Sequence, residues 1–196
     1  MQYKFVNKVM TALAATLAVA SSSHATIFQY DLIGTAGAGL LFGNEPAVAT
    51  GGSGGEIGAG IFLDSTTNVL TVNVGWGSSQ GFTDLSSSSS ASHIHGPTAS
   101  NFGSGFTQTA GVLFTLTRSS NLATGGTVAQ AFTLSGAQVT DLNNGKHYIN
   151  IHTATNGGGE IRGFIVPAVA DAPEPGTLAL LALGGTLVLV KRRRSA

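Results

Sequence analysis

Through the middle of this chain apolar residues recur at every second position. Leu70, Val72, Val74 and Trp76 alternate with Thr71, Asn73 and Gly75, the spacing that turns one strand face to a core and the other to solvent. Similar short runs cover Ile27 to Ile33, Glu56 to Leu63, Val112 to Thr117, Val128 to Leu134, Tyr148 to Thr153 and Ile161 to Val166, with Gly, Asn and Ser clusters between them. One segment, Ala137 to Asn143, predicts a helix, with Ser135 placed to cap its start and Gly145 to end it in the left-handed conformation. Ser86 to Ser90 has no periodicity and predicts a mobile loop. Gly51 to Gly60 predicts a turn entering a strand; no helical pattern follows it, as a phosphate-cradling loop would require. Many short strands without a strand–helix–strand rhythm predict an all-β fold, an antiparallel β-sandwich or Greek-key barrel-like single domain over residues 26–170.

The two ends depart from this pattern. Residues 1–25 run from Lys4 and Lys8 through an uncharged apolar stretch, Val9 to Ala20, to the small residues before Ala25. That order predicts a helical signal peptide, cut by signal peptidase between Ala25 and Thr26. Residues 171–196 place Pro173, Glu174 and Pro175 before a fifteen-residue apolar segment, 176–190, and then the basic cluster 191–194. As a helix that segment is about 22 Å long against about 30 Å of hydrocarbon, so it predicts a short transmembrane helix, with the cations held on the cytoplasmic side. Pro173 and Pro175 keep the helix from extending backward. The tail resembles a PEP-CTERM sorting signal. The resemblance implies cleavage by an exosortase, a membrane-embedded protease, after transient anchoring in the inner membrane, and delivery to the cell surface or extracellular matrix of a Gram-negative-type bacterium.

Charge and cysteine content narrow what the body does. The chain is formally neutral, but residues 26–170 hold three basic residues (Arg118, Lys146, Arg162) and seven acidic ones (Asp31, Glu45, Glu56, Asp64, Asp84, Asp141, Glu160). Without clustered Lys and Arg to neutralise phosphates, no nucleic-acid partner is expected. Cysteine is absent, so burial and hydrogen bonding must hold the fold without disulfides.

Two motifs carry the candidate chemistry: Ser92-His93-Ile94-His95-Gly96-Pro97, and Tyr148-Ile149-Asn150-Ile151-His152-Thr153 followed by Gly157-Gly158-Gly159-Glu160-Ile161-Arg162-Gly163. With Glu45-Pro46 and the Thr50 to Gly60 segment upstream, they make the body similar to a CHRD (chordin-type) domain, over roughly Ile27 to Val166. That resemblance implies a β-sandwich module of extracellular proteins and no established reaction. Strand parity adds a second expectation. If Ile94, Ile149, Ile151 and Ile161 face the core, then His93, His95, Tyr148, Asn150, His152, Glu160 and Arg162 share the opposite face, provided the strands are neighbours. His147 has the other parity and is left out.

This constellation has two readings. In one, His93, His95 and His152 are imidazole ligands suited to copper or zinc, and the His-x-His strand resembles that of copper-zinc superoxide dismutase. In the other, the imidazoles tie loop backbone to the sheet and Glu160 pairs with Arg162 beside them. No serine sits in a nucleophile-elbow setting, so no catalytic residue is assigned. The leading functional expectation is a non-enzymatic, exosortase-sorted surface or matrix protein that needs no cofactor and binds exopolysaccharide or other matrix components. The alternative is a His-ligated copper or zinc protein or metalloenzyme.

Overall fold

The computed structural model describes residues 26–44, 48–119 and 123–168. The predicted signal peptide, the cleavage point at Ala25 and the whole sorting tail lie outside the described residues. Among the described residues, no helix is long and apolar enough to cross a membrane.

Ten strands and one helix follow in chain order. They are β1 (Ile27–Gly34), β2 (Gly37–Ala38), β3 (Leu40–Leu41), β4 (Ser53–Asp64), β5 (Val69–Trp76), β6 (Ser89–His95), β7 (Val112–Thr115), β8 (Gly126–Thr133), α1 (Gly136–Asn143), β9 (His147–Thr153) and β10 (Ile161–Pro167). Every pairing is antiparallel, and all ten strands belong to one sheet. The expected barrel does not close. β7 pairs only β6 and β8 pairs only β5, and these two outer strands meet through side chains rather than through a ladder. Phe114 stacks on Phe132 with ring centroids 4.6 Å apart, and Gln130 caps the backbone N–H of Thr117.

The alternating positions do what their pattern predicts. Leu70, Val72, Val74 and Trp76 are all buried, with Leu32, Ile61, Leu63, Ile94, Val128, Ile149, Ile151, Ile161 and Ile165 in the same core. Fully burying one such side chain is worth about 1.5 to 3 kcal/mol, so this cluster supplies the main drive to fold. The helix begins one residue earlier than expected. Ser135 caps it in a reciprocal box with Gln138, and Gly145 follows it at φ +62.

Two expectations about small-residue segments fail. The serine run is not simply a loop, because Ser89 and Ser90 open β6 and Ser86 is fixed by a buried carboxylate. The glycine-rich segment is itself strand from Ser53 onward, with a register shift between Glu56 and Ile61. A Cβ on Gly54 would stand 2.5 Å from the Gly75 carbonyl oxygen, so close approach of β4 to β5 requires glycine there.

What positions the candidate site is the order β10–β9–β6–β7. Every residue from Ile161 to Val166 is buried, because β10 is covered on both faces. One face meets the main core. The other holds Tyr148, Phe164 and Val166 against Ile33, Phe102, Phe106 and Ala110, three of which belong to the long segment between β6 and β7.

Candidate metal centre

The neighbour condition behind the parity argument is met. His93 lies opposite Asn150 and His95 opposite Tyr148 across β6 and β9, and Arg162 lies opposite Asn150 across β9 and β10. These side chains therefore form a patch on the face turned away from the main core. It is not a solvent face. Tyr148, Asn150 and Arg162 are at most 2% exposed and His95 is 9% exposed, because the segment after β6 folds back over them, while Glu160 is buried beneath the loops at Gly52 and Ser86.

One nitrogen from each of His93, His95 and His152 lies within 4.8 Å of the others. His95 turns Nδ1 to the Ala110 carbonyl at 2.9 Å, and His152 turns Nδ1 to the Gly157 carbonyl at 2.9 Å. A carbonyl only accepts, so both rings carry their proton on Nδ1 and keep a lone pair on Nε2 when neutral. His152 Nε2 is 2.9 Å from His93 Nδ1, which must then be the donor. His95 Nε2 lies 3.2 Å from Asn150 Oδ1; a ring protonated at Nδ1 is satisfied there by the Asn150 NH2 group, with the amide turned the other way round.

Burial is the main reason the His93 pKa falls to about 4, with the adjacent imidazoles of His152 and His95 and the Arg118 charge adding to it. Burial also lowers His95, partly offset by its bond to the Ala110 carbonyl. Near neutral pH both rings are uncharged, the state in which imidazole binds a metal.

Glu160 and Arg162 do not pair. The Glu160 carboxylate instead accepts from Gly52 N (2.9 Å), Ser86 N (2.7 Å), Ser86 Oγ (2.5 Å), Thr153 Oγ1 (2.9 Å) and Asn156 Nδ2 (3.1 Å). Burial raises its pKa, but the donors of Ser86, Gly52 and Thr153 together outweigh that and hold it below the usual value. Parity placed the two residues on one face, yet Glu160 lies in the loop just before β10, where its side chain reaches the other loops at the sheet end. Arg162 turns toward the aromatic residues. Its Cζ is 3.6 Å from the centroid of the Tyr148 ring and it donates to the Gln108 carbonyl, while His95 stacks on the same tyrosine at 4.7 Å. The carboxylate is thus a knot joining the loops at Gly52, Ser86 and Asn156 to the end of β9.

Sequence reasoning set His147 aside, and the structure buries it completely at the start of β9, with its ring 2.2 Å from where a Cβ on Gly96 would sit. It stands apart from the three-histidine group. Nor did the pattern single out a cavity of about 360 Å³ lined by Asp31, Leu32, Ile33, Ala38, Glu56, Phe102, Val166 and Pro167. The four strands (β1, β2, β4 and β10) and the segment between β6 and β7 that line it become neighbours only through the fold.

Comparison with protein families places these observations. A CHRD domain model matches residues 38–165, which include all three histidines, Glu160 and Arg162. A PEP-CTERM protein-sorting motif matches residues 171–194, which include Pro173, Glu174, Pro175 and the whole basic cluster. That signal implies export, cell-surface sorting and processing by an exosortase. Comparison with curated proteins and with solved structures gave no match. Since the CHRD match spans well over half of the 196 residues, the chain belongs to the CHRD domain family.

Proposed function

We propose that this protein is released from its signal peptide, held briefly in the inner membrane through residues 176–190, cut by an exosortase near Pro173-Glu174-Pro175, and retained at the cell surface or in the exopolysaccharide matrix. There its CHRD domain works by binding and not by catalysis. One observation carries this reading: the sorting motif begins at residue 171, directly after a folded extracellular-type domain whose family match ends at 165. The polar surface suits the role, for the chain has only 9% charged residues and its loops are rich in Ser, Thr, Asn and Gly, which offer many neutral hydrogen-bonding groups to a glycan. Mass measurement of the protein extracted from the surface of its native host tests the proposal. A mass that starts at Thr26 and lacks residues 176–196 is expected, with the tail retained when the exosortase is deleted. Intact Ser195-Ala196 in a cell with active exosortase would refute it.

A further inference from the structure

We propose that His93, His95 and His152 form a binding site for one divalent copper or zinc ion. This goes beyond the sorting and binding role and does not depend on it. Three observations converge. First, three imidazole nitrogens from two neighbouring strands lie within 4.8 Å of one another, two of them already 2.9 Å apart. Two nitrogens each about 2.05 Å from a common ion stand about 2.9 Å apart at a right angle and about 3.3 Å apart at the tetrahedral angle. The close pair is therefore at ligand spacing, and His95 offers a third ring nitrogen within 4.8 Å.

Second, the outer shell is that of a metal site. In His95 and His152 the nitrogen pointing away from the group is held by a backbone carbonyl, Ala110 and Gly157. Such a carbonyl fixes the tautomer and ring orientation and turns the other nitrogen inward, toward His93 in the case of His152 and toward the Asn150 amide in the case of His95. In the ion-free protein the gap is bridged by the proton on His93 Nδ1. If that proton moves to Nε2 of the same ring, both lone pairs become available with no net release of a proton.

Third, the donor set selects the ion. Three neutral imidazoles with neither carboxylate nor thiolate suit copper and zinc, whereas calcium and magnesium need anionic or carbonyl oxygen. The nearest carboxylate by sequence, Glu160, has both oxygens committed to Gly52, Ser86, Thr153 and Asn156. Three protein ligands leave a coordination position for water or a donor from a bound partner.

The test uses the full chain in detergent, stripped with chelator and titrated separately with zinc, copper(II), calcium and magnesium salts. One equivalent of zinc or copper should bind, with a rise in melting temperature, and neither calcium nor magnesium should compete. His93→Gln and His152→Gln should each weaken binding by about 100-fold, whereas His147→Leu, outside the three-histidine group, should bind like the parent. A second readout on the parent protein keeps the test independent of any stability lost in these variants. Its copper(II) spin-resonance spectrum should show coupling to bound nitrogen. A spectrum of the hydrated ion, absence of stoichiometric uptake, or unchanged binding in both glutamine variants would overturn the site and leave the cluster as a hydrogen-bonded joint.

Discussion

Lowering the pH from about 7 to about 5 should weaken this fold, and His147 should carry a measurable share of the loss. Its ring is fully buried at the start of β9, and neither ring nitrogen makes a hydrogen bond. Burial, opposed only in part by the Asp141 charge, takes its pKa from 6.5 to about 4. Between those values the unfolded chain binds the proton and the folded chain does not, so the contribution is complete above the unfolded pKa and is lost as pH falls through the folded one. Those two values predict about 2 kcal/mol lost by pH of about 5 and about 3 kcal/mol in full. His147→Leu removes the titrating group at similar volume. Two unpartnered nitrogens leave with it, so stability near neutral pH should change by less than about 1.5 kcal/mol. Urea unfolding followed by fluorescence of the buried Trp76, the single tryptophan, reads both proteins at both pH values. His93 and Glu160 titrate in both and cancel in the comparison. The parent should lose about 2 kcal/mol more than the variant on acidification. Equal losses would show that His147 is not held neutral by the fold.

Glu160→Gln places an amide group among donors, so it should destabilise by about 3 kcal/mol in urea unfolding and release the loops at Gly52, Ser86 and Asn156 to faster hydrogen exchange. Gly96→Ala puts a methyl 2.2 Å from the His147 ring and should lower stability by about 1 to 3 kcal/mol, read by thermal melting. Ser135→Ala removes the capping box and should cost about 1 kcal/mol, with faster exchange confined to the first turn of α1.

The strands were legible where one face is buried and the other is not, as in Val69 to Trp76, because period-two alternation is then imposed by the core. The capped helix was legible because Ser135 and Gly145 act locally. β2 and β3 were not, being two residues each and defined by their partners Ile33, Gly34, Arg162 and Gly54. For the site, parity placed His93, His95, Asn150 and His152 on one face, and the pairing of β6 with β9 made that face continuous. What parity could not reveal is the cover. Ala110, Gln108 and Phe106 come from an irregular segment with no period, yet they turn an outer face into an interior where Arg162 lies on Tyr148. The separation of Glu160 from Arg162 was hidden for the same reason, since every partner of that carboxylate lies in a loop or at a strand end.

These buried polar residues share one physical task. The segments that close this end of the sheet are made of Ser, Thr, Asn and Gly, which bring little apolar area to bury, and no disulfide is available to hold them. Each is held instead by a buried or half-buried polar side chain in a strand or just beside one. Glu160 holds Gly52 and Ser86, Asn44 joins Thr35 to the Arg162 carbonyl, His95 holds Ala110 and His152 holds Gly157. A buried polar group left unpaired costs about 1 to 3 kcal/mol, so each joint is specific to its partner and resists substitution. For the two histidines, the same bond that secures a loop also fixes the tautomer and aims the second nitrogen inward. Stability and ligand geometry are therefore set by one bond at each ring, and an ion at the cluster would tighten both loops through carbonyls that it never touches.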